Sequence, residues 1–90
     1  MTRWRVEYSE RARRELRKLD KPVREQIERF VERLPDYPDP RAVGKALKGD
    51  YAGYWRYRVG DYRVICVIHD GILLVEVVKI DHRRKVYQKR

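Results

Sequence analysis

Three arginines, Arg56, Arg58 and Arg63, fall within the stretch YWRYRVGDYRVICV from Tyr54 to Val67, interleaved with aromatic and branched apolar residues. A guanidinium keeps its charge at any working pH and offers a planar fork of N–H donors that matches phosphate oxygens. Gathered on one surface, three of them would form an anion site, with the phosphates of a nucleic acid as the natural occupant. Whether they gather depends on the elements that carry them.

Gly60-Asp61 reads as a two-residue turn joining tightly paired antiparallel strands. Val59 then lies opposite Tyr62, Arg58 opposite Arg63, Tyr57 opposite Val64 and Arg56 opposite Ile65. Directly opposed residues share a face, so Arg56, Arg58 and Arg63 emerge together. Trp55, Tyr57, Val59, Tyr62, Val64, Cys66 and Ile68 take the other face, which should meet the core. Asp70-Gly71 reads as a second turn of this kind, pairing Ile68 with Leu73, Cys66 with Val75, Val64 with Val77 and Arg63 with Val78. A last strand, Ile72 to Ile80, then turns Leu73, Val75 and Val77 to the core. Its other face, with Ile72, Leu74, Glu76, Val78 and Ile80, is partly apolar and should be covered in part. Opposed like charges repel, so a fold gains nothing from setting Arg58 beside Arg63. The plain alternative to an anion site is that each guanidinium splays into solvent or pairs with Glu76 and Asp61.

The elements that would support this hairpin lie upstream. Trp4, Val6 and Tyr8 alternate with Arg3, Arg5 and Glu7, predicting a strand over Arg3 to Tyr8. Ser9 is placed to cap a helix from Glu10 to Leu19 that sets Ala12, Leu16 and Leu19 on one side. After Asp20, Pro22 opens a second helix to Leu34 with an apolar stripe of Val23, Ile27, Phe30, Val31 and Leu34. The short link makes the two helices antiparallel, and their charged outer faces read as solvated surface. Pro35, Pro38 and Pro40 with Asp36 and Asp39 form a loop. The segment RAVGKALKGDY that follows has no sustained period, and Lys45 and Lys48 within it face either a phosphate backbone or water. The fold expected is α+β: an N-terminal strand, a helical hairpin, then a three-stranded antiparallel meander, with the helices packed on one face of a twisted sheet. All 90 residues form one domain.

Composition narrows the partner. Lys and Arg number 23 against 14 Asp and Glu, a net charge of +9, and charged residues reach 41% where about 25% is usual. That balance favours an anionic partner such as nucleic acid. The most basic part is the C-terminal end, where Asp81, His82, Arg83, Arg84, Lys85, Val86 and Tyr87 leave the last strand beside Arg63 and would extend the basic face, unless they form only a solvated tail. A single cysteine excludes an internal disulfide, and one thiol with two histidines has no zinc-site spacing, so no metal is expected. Cys66 reads as packing and His69 as a surface residue. No run is long and apolar enough to span a bilayer and the N-terminus lacks a secretory core, so a cytoplasmic protein is expected.

The segments LKG at Leu47 to Gly49, YWRYRVGDYRVI at Tyr54 to Ile65 and HRRKVY at His82 to Tyr87 together resemble the RelE/ParE superfamily of toxins from toxin–antitoxin modules, within it the RelE branch. The resemblance spans nearly the whole chain and implies the same small α+β fold. It further implies a ribosome-dependent mRNA endoribonuclease that needs no cofactor, acts in the ribosomal A site and is held in check by an antitoxin protein. In such enzymes the ribose 2′-OH attacks the adjacent phosphate, leaving a 2′,3′-cyclic phosphate and a free 5′-OH. Matched by motif, Arg56 and Arg58 occupy basic positions near the phosphate, Arg63 is the arginine of the Tyr-Arg pair, and Arg83 or Arg84 with Tyr87 match the C-terminal basic and aromatic residues. The branch prototype has lysines where this chain has Arg56 and Arg58, and an arginine cannot give up its proton to act as base. His82 has the unperturbed pKa suited to proton transfer, which makes it the candidate base or acid. Tyr87 is the candidate to stack on a base or orient the 2′-OH. Arg84, Lys85, Lys45 and Lys48 would contact RNA. Two other readings compete: a ParE-like poison of DNA gyrase acting through protein contacts, and a degenerate, nontoxic relative or plain RNA-binding module.

Overall fold

The computed structural model describes residues 3–82. Strand β1 (Arg5–Tyr8) leads into helix α1 (Glu10–Arg17), whose N-terminus is capped by Ser9: its Oγ accepts from the N–H of Ala12 at 3.0 Å. Helix α2 (Lys21–Arg33) starts with Pro22 in its first turn, where the missing N–H breaks no helical bond. Ala12, Leu16, Ile27, Val31 and Leu34 are buried, so the two apolar stripes meet a common core as their spacing predicts. Two short 3₁₀ turns, Leu34–Asp36 and Pro40–Val43, carry the proline-rich connection. Among the described residues no helix is long and apolar enough to cross a membrane.

Strands β2 (Lys45–Ala46), β3 (Tyr54–Val59), β4 (Tyr62–His69) and β5 (Leu74–His82) complete a five-stranded sheet in the order β1-β5-β4-β3-β2. The first strand pairs parallel with the last, Val6 beside Val75 and Tyr8 beside Val77, and the other pairings are antiparallel. Tyr57, Val59, Val64, Cys66, Val75, Val77 and Ile80 turn toward the helices and close the core. Tyr57 is fully buried. Its hydroxyl donates to the carbonyl of Pro40 at 2.8 Å, and its ring lies so close to Gly44 that a Cβ there would stand 2.7 Å from a ring carbon. This pins the connecting loop to the edge of the sheet. Burial raises the Tyr57 phenol and the Cys66 thiol above their ordinary pKa values, which makes Cys66 packing rather than chemistry.

The β3–β4 register is the one the Gly60-Asp61 turn predicts, Val59 to Tyr62 through Arg56 to Ile65. The β4–β5 register is not. Asp70–Ile72 form a 3₁₀ turn and Leu73 takes a left-handed conformation (φ 51°), so the connection has four residues and β5 slides by two: Cys66 pairs with Val77, not Val75. A shift of two keeps the alternation, and Val75 and Val77 still face the core. Beyond them Val78 is an extra residue in β5, a bulge that reverses the alternation. Ile80, expected on the outer face, is buried instead, and Leu73, expected in the core, sits in the turn.

That bulge is held from α1. The N–H of Ser9 donates to the carbonyl of Val77 at 2.8 Å, the Ser9 hydroxyl to that of Val78 at 3.3 Å, and the N–H of Ile80 donates to the carboxylate of Glu15 at 2.7 Å. A side chain thus takes up a backbone donor that the irregular ladder would strand.

Candidate nucleic-acid interface

On the face of the sheet away from the helices, strand pairing sets up two cross-strand rows. One runs Lys45, Arg56, Ile65, Lys79 across β2, β3, β4 and β5; the next runs Arg58, Arg63, Asp81 across β3, β4 and β5. Directly opposed side chains have Cβ atoms about 5 Å apart, so Arg58 and Arg63 are neighbours and Lys45 adjoins Arg56. Arg63 is only 8% exposed, the one buried charged residue among those described, while Arg58 stands in solvent. Lys79 and Asp81 form an ion pair of 3.0 Å at the β5 side. The result is a short strip of cations with one fixed guanidinium at its centre and a single carboxylate at its flank.

Of the residues singled out from sequence, Arg56, Arg58, Arg63 and Lys45 come together here. Lys48 lies beyond the end of β2 and is not part of the paired rows. His82 does not join them. The bulge at Val78 pairs it with Tyr62, so it shares the helix-side face, its ring 4.9 Å from that of Tyr62 and edge-on at 81°. Arg83, Arg84, Lys85 and Tyr87 lie outside the described residues. Sequence reasoning missed Asp81 as the neighbour of Arg63, having offered Glu76 and Asp61. The register that brings it there depends on Leu73 and on the bulge, and neither has a signature in the Asp70-Gly71 dipeptide.

The rest of the outer face is balanced. Arg5 pairs with Glu7 at 3.4 Å and His69 Nε2 lies 3.1 Å from Glu76. On the helix-side face, Arg41 lies over the ring of Trp55 at 5.7 Å and bridges Asp39 and Asp70. Its hydrogen bond to Asp70 is the main cause of a pKa raised above even the ordinary guanidinium value. The positive strip is thus local to one corner of the sheet, at the β3–β4 turn.

The family described as the ParE toxin of type II toxin–antitoxin systems matches residues 6–87. The chain belongs to this toxin family. It is 32% identical to the toxin RelG of Mycobacterium tuberculosis over 85 residues, 93% of this chain and 95% of that protein. Among solved structures, the toxin–antitoxin complex RelBE2 of M. tuberculosis superposes with a TM-score of 0.82 at 32% identity, over 92% of this chain and 94% of that one. The archaeal RelE–RelB complex of Pyrococcus horikoshii gives a TM-score of 0.70 at 26% identity, over 89% and 94%. The chain is a RelE-like toxin of a type II toxin–antitoxin system.

Proposed function

We propose that the basic strip is the reacting-phosphate site of a metal-independent endoribonuclease that cuts mRNA in the ribosomal A site and so stops translation. The observation that supports this best is Arg63, buried to 8% exposure yet set directly opposite Arg58 and one alternation from Arg56 on a two-residue hairpin. A cost in charge repulsion built into a rigid element is what a preorganised electrostatic site requires.

In the reaction the 2′-oxygen of a ribose bonds to the adjacent phosphorus as its hydroxyl proton departs. The bond from phosphorus to the 5′-oxygen of the next nucleotide breaks, and that oxygen takes up a proton. A 2′,3′-cyclic phosphate and a free 5′-OH remain. Negative charge grows on the nonbridging oxygens as phosphorus becomes five-coordinate, and Arg58 and the buried Arg63 present forks of donors to it. Asp81 offsets part of the repulsion between them without a place of its own in the reaction. Arg56 and Lys45 hold the neighbouring backbone, Arg83 adds charge that suits the transition state, and Tyr87 orients the 2′-OH. With His82 on the opposite face, electrostatic stabilisation is the larger contribution of this strip. The antitoxin that would silence such a site is an acidic, amphipathic segment able to lie along a surface of net charge +9.

The test is Arg63→Ala, checked for folding by circular dichroism and expressed from an inducible promoter. Growth arrest should disappear, and the new mRNA 5′ ends seen after brief induction of the wild type should vanish with it. A folded variant that remains fully toxic overturns the reading. The ParE description of the matching family favours a second reading, a gyrase poison; induced cells with DNA damage and intact mRNA would establish that instead.

A further inference from the structure

We propose that a cleft between α2 and the β3–β4 turn is a subsite for one nucleotide of single-stranded RNA, next to the nucleotide whose phosphate reacts. The proposal rests on the reading of the basic strip as an RNA site and extends it around the edge of the sheet. The cleft has a volume of about 370 Å³, within the range of small-ligand sites, and Gln26, Arg29, Phe30, Arg33, Tyr37 and Arg58 line it. Among the described residues β2 pairs with β3 only at Trp55 and Arg56, so the strand has no neighbour on that side at Arg58. Arg58 therefore belongs both to the row with Arg63 and to the cleft wall.

The cleft is basic because α2 sorts its charges. Gln26, Arg29, Phe30 and Arg33 recur at i, i+3, i+4 and i+7 along one flank of the buried stripe, while Glu25, Glu28 and Glu32 recur along the other. The acidic flank lies toward β1: the phenol of Tyr8 is pushed up to about 12, first by burial and then by the charges of Glu28 and Glu32. The basic flank lies toward Arg58. Among the described residues none of Arg29, Arg33 and Arg58 makes an ion pair, which is also true of Arg13, Arg14, Arg17 and Arg24, but only these three converge on one cleft. The helix dipole accounts for Arg33 in the last turn of α2. It does not account for Arg29, nor for Arg58 on a different element facing the same space.

The other lining groups select among anions. Tyr37 and Phe30 offer aromatic surface of the kind on which unstacked bases lie, and the Gln26 amide carries both a donor and an acceptor for a base edge. That amide is seated against the turn: a Cβ at Gly60, whose φ is 59°, would lie 3.6 Å from it. An acidic peptide would satisfy the arginines as well, and the experiment below separates the two occupants. Phosphate, base and amide are the chemistry of a nucleotide, and Arg58 joins its phosphate to the reacting one.

The probe is a fluorescein-labelled hexaribonucleotide carrying 2′-O-methyl groups throughout, which the protein can bind but not cut, with anisotropy read over a series of salt concentrations. Arg29 and Arg33 are exposed on the helix, so Arg29→Ala/Arg33→Ala should fold, and the single variant Arg29→Gln serves if the double does not. The expected result is an affinity lowered about tenfold or more at low salt, with a log–log salt slope shallower by about 1.4, the loss of two phosphate contacts on a single strand. Wild-type affinity and slope would overturn the proposal. So would unchanged RNA binding with weakened binding of an acidic antitoxin peptide, which would make the cleft a protein site. Binding is read without cleavage, so a toxic Arg63→Ala protein would sink the nuclease reading while leaving this measurement to decide the cleft by itself.

Discussion

Arg3, Arg5, Arg11 and Arg41 each lie against a carboxylate, at and just before β1, on α1 and in the loop before β2, whereas Arg29, Arg33 and Arg58 converge on the β3–β4 turn with no such partner among the described residues. Both groups are exposed or nearly so and drawn from the same residue type, so solubility does not separate them. What separates them is compensation. Arg3, Arg5, Arg11 and Arg41 each have an acid beside them, whereas Arg13, Arg14, Arg17 and Arg24 make no ion pair among the described residues and stand apart from one another on the helices. At the β3–β4 turn the chain instead gathers arginines from two elements and places Arg58 directly opposite Arg63, a repulsion that Asp81, across from Arg63 on β5, offsets only in part.

The sharpest break in this contrast is to set a further acid among the arginines at the β3–β4 turn. Arg58→Glu replaces the opposed like charges by an opposite-charge pair with Arg63. The folded protein should gain about 0.2 to 1 kcal/mol in denaturant unfolding, as for cross-strand ion pairs. Toxicity and mRNA cutting should fall by about 100-fold or more, the scale of losing one charge-stabilising donor from an active site. A variant both less stable and still active would show that the corner was never held against repulsion for function.

How much of this was legible depended on how local each determinant is. Gly60-Asp61 fixed the β3–β4 register because a two-residue turn leaves one way to pair its strands, so the common face of Arg56, Arg58 and Arg63 followed from the sequence. Asp70-Gly71 resembles it but continues through Ile72 to a left-handed Leu73, and no dipeptide rule anticipates a leucine at φ 51°. The bulge at Val78 lay further out of reach, since Ser9 and Glu15 hold it from 65 to 69 residues away. Its consequences are the ones that mattered for the site: Ile80 inward, Asp81 beside Arg63, His82 on the helix-side face. β2 is two residues long and cannot show a period. The charge sorting on α2 was present in the sequence at helical spacing, and it passed as solvated surface because only the fold sets Arg58 opposite that flank.

The bulge also makes the compensation of Arg63 testable. Glu15→Ala leaves the N–H of Ile80 without its acceptor, at a cost of about 1 to 3 kcal/mol for a stranded backbone donor, and loosens the segment that carries Asp81. Glu15→Gln keeps an oxygen acceptor there and loses only the charge that pairs with Arg11, so it should fall within about 0.5 kcal/mol of wild type. Equal losses in the two variants, measured by denaturant unfolding, would mean that the ion pair rather than the backbone bond holds the bulge.

The smallest effect belongs to the compensated arginines, and it serves as the control on the whole contrast. Arg3 and Asp36 pair at 3.0 Å with both side chains about two-thirds exposed, a geometry in which solvent screening leaves little net energy. Arg3→Ala should therefore change stability by less than about 0.5 kcal/mol. It removes the same formal charge as Arg29→Ala. If binding of the 2′-O-methyl hexaribonucleotide followed net charge alone, the two single variants would weaken it alike and lower its salt slope alike. If the corner at the β3–β4 turn is the site, Arg29→Ala lowers the slope by about 0.7, one phosphate contact, and Arg3→Ala leaves it unchanged.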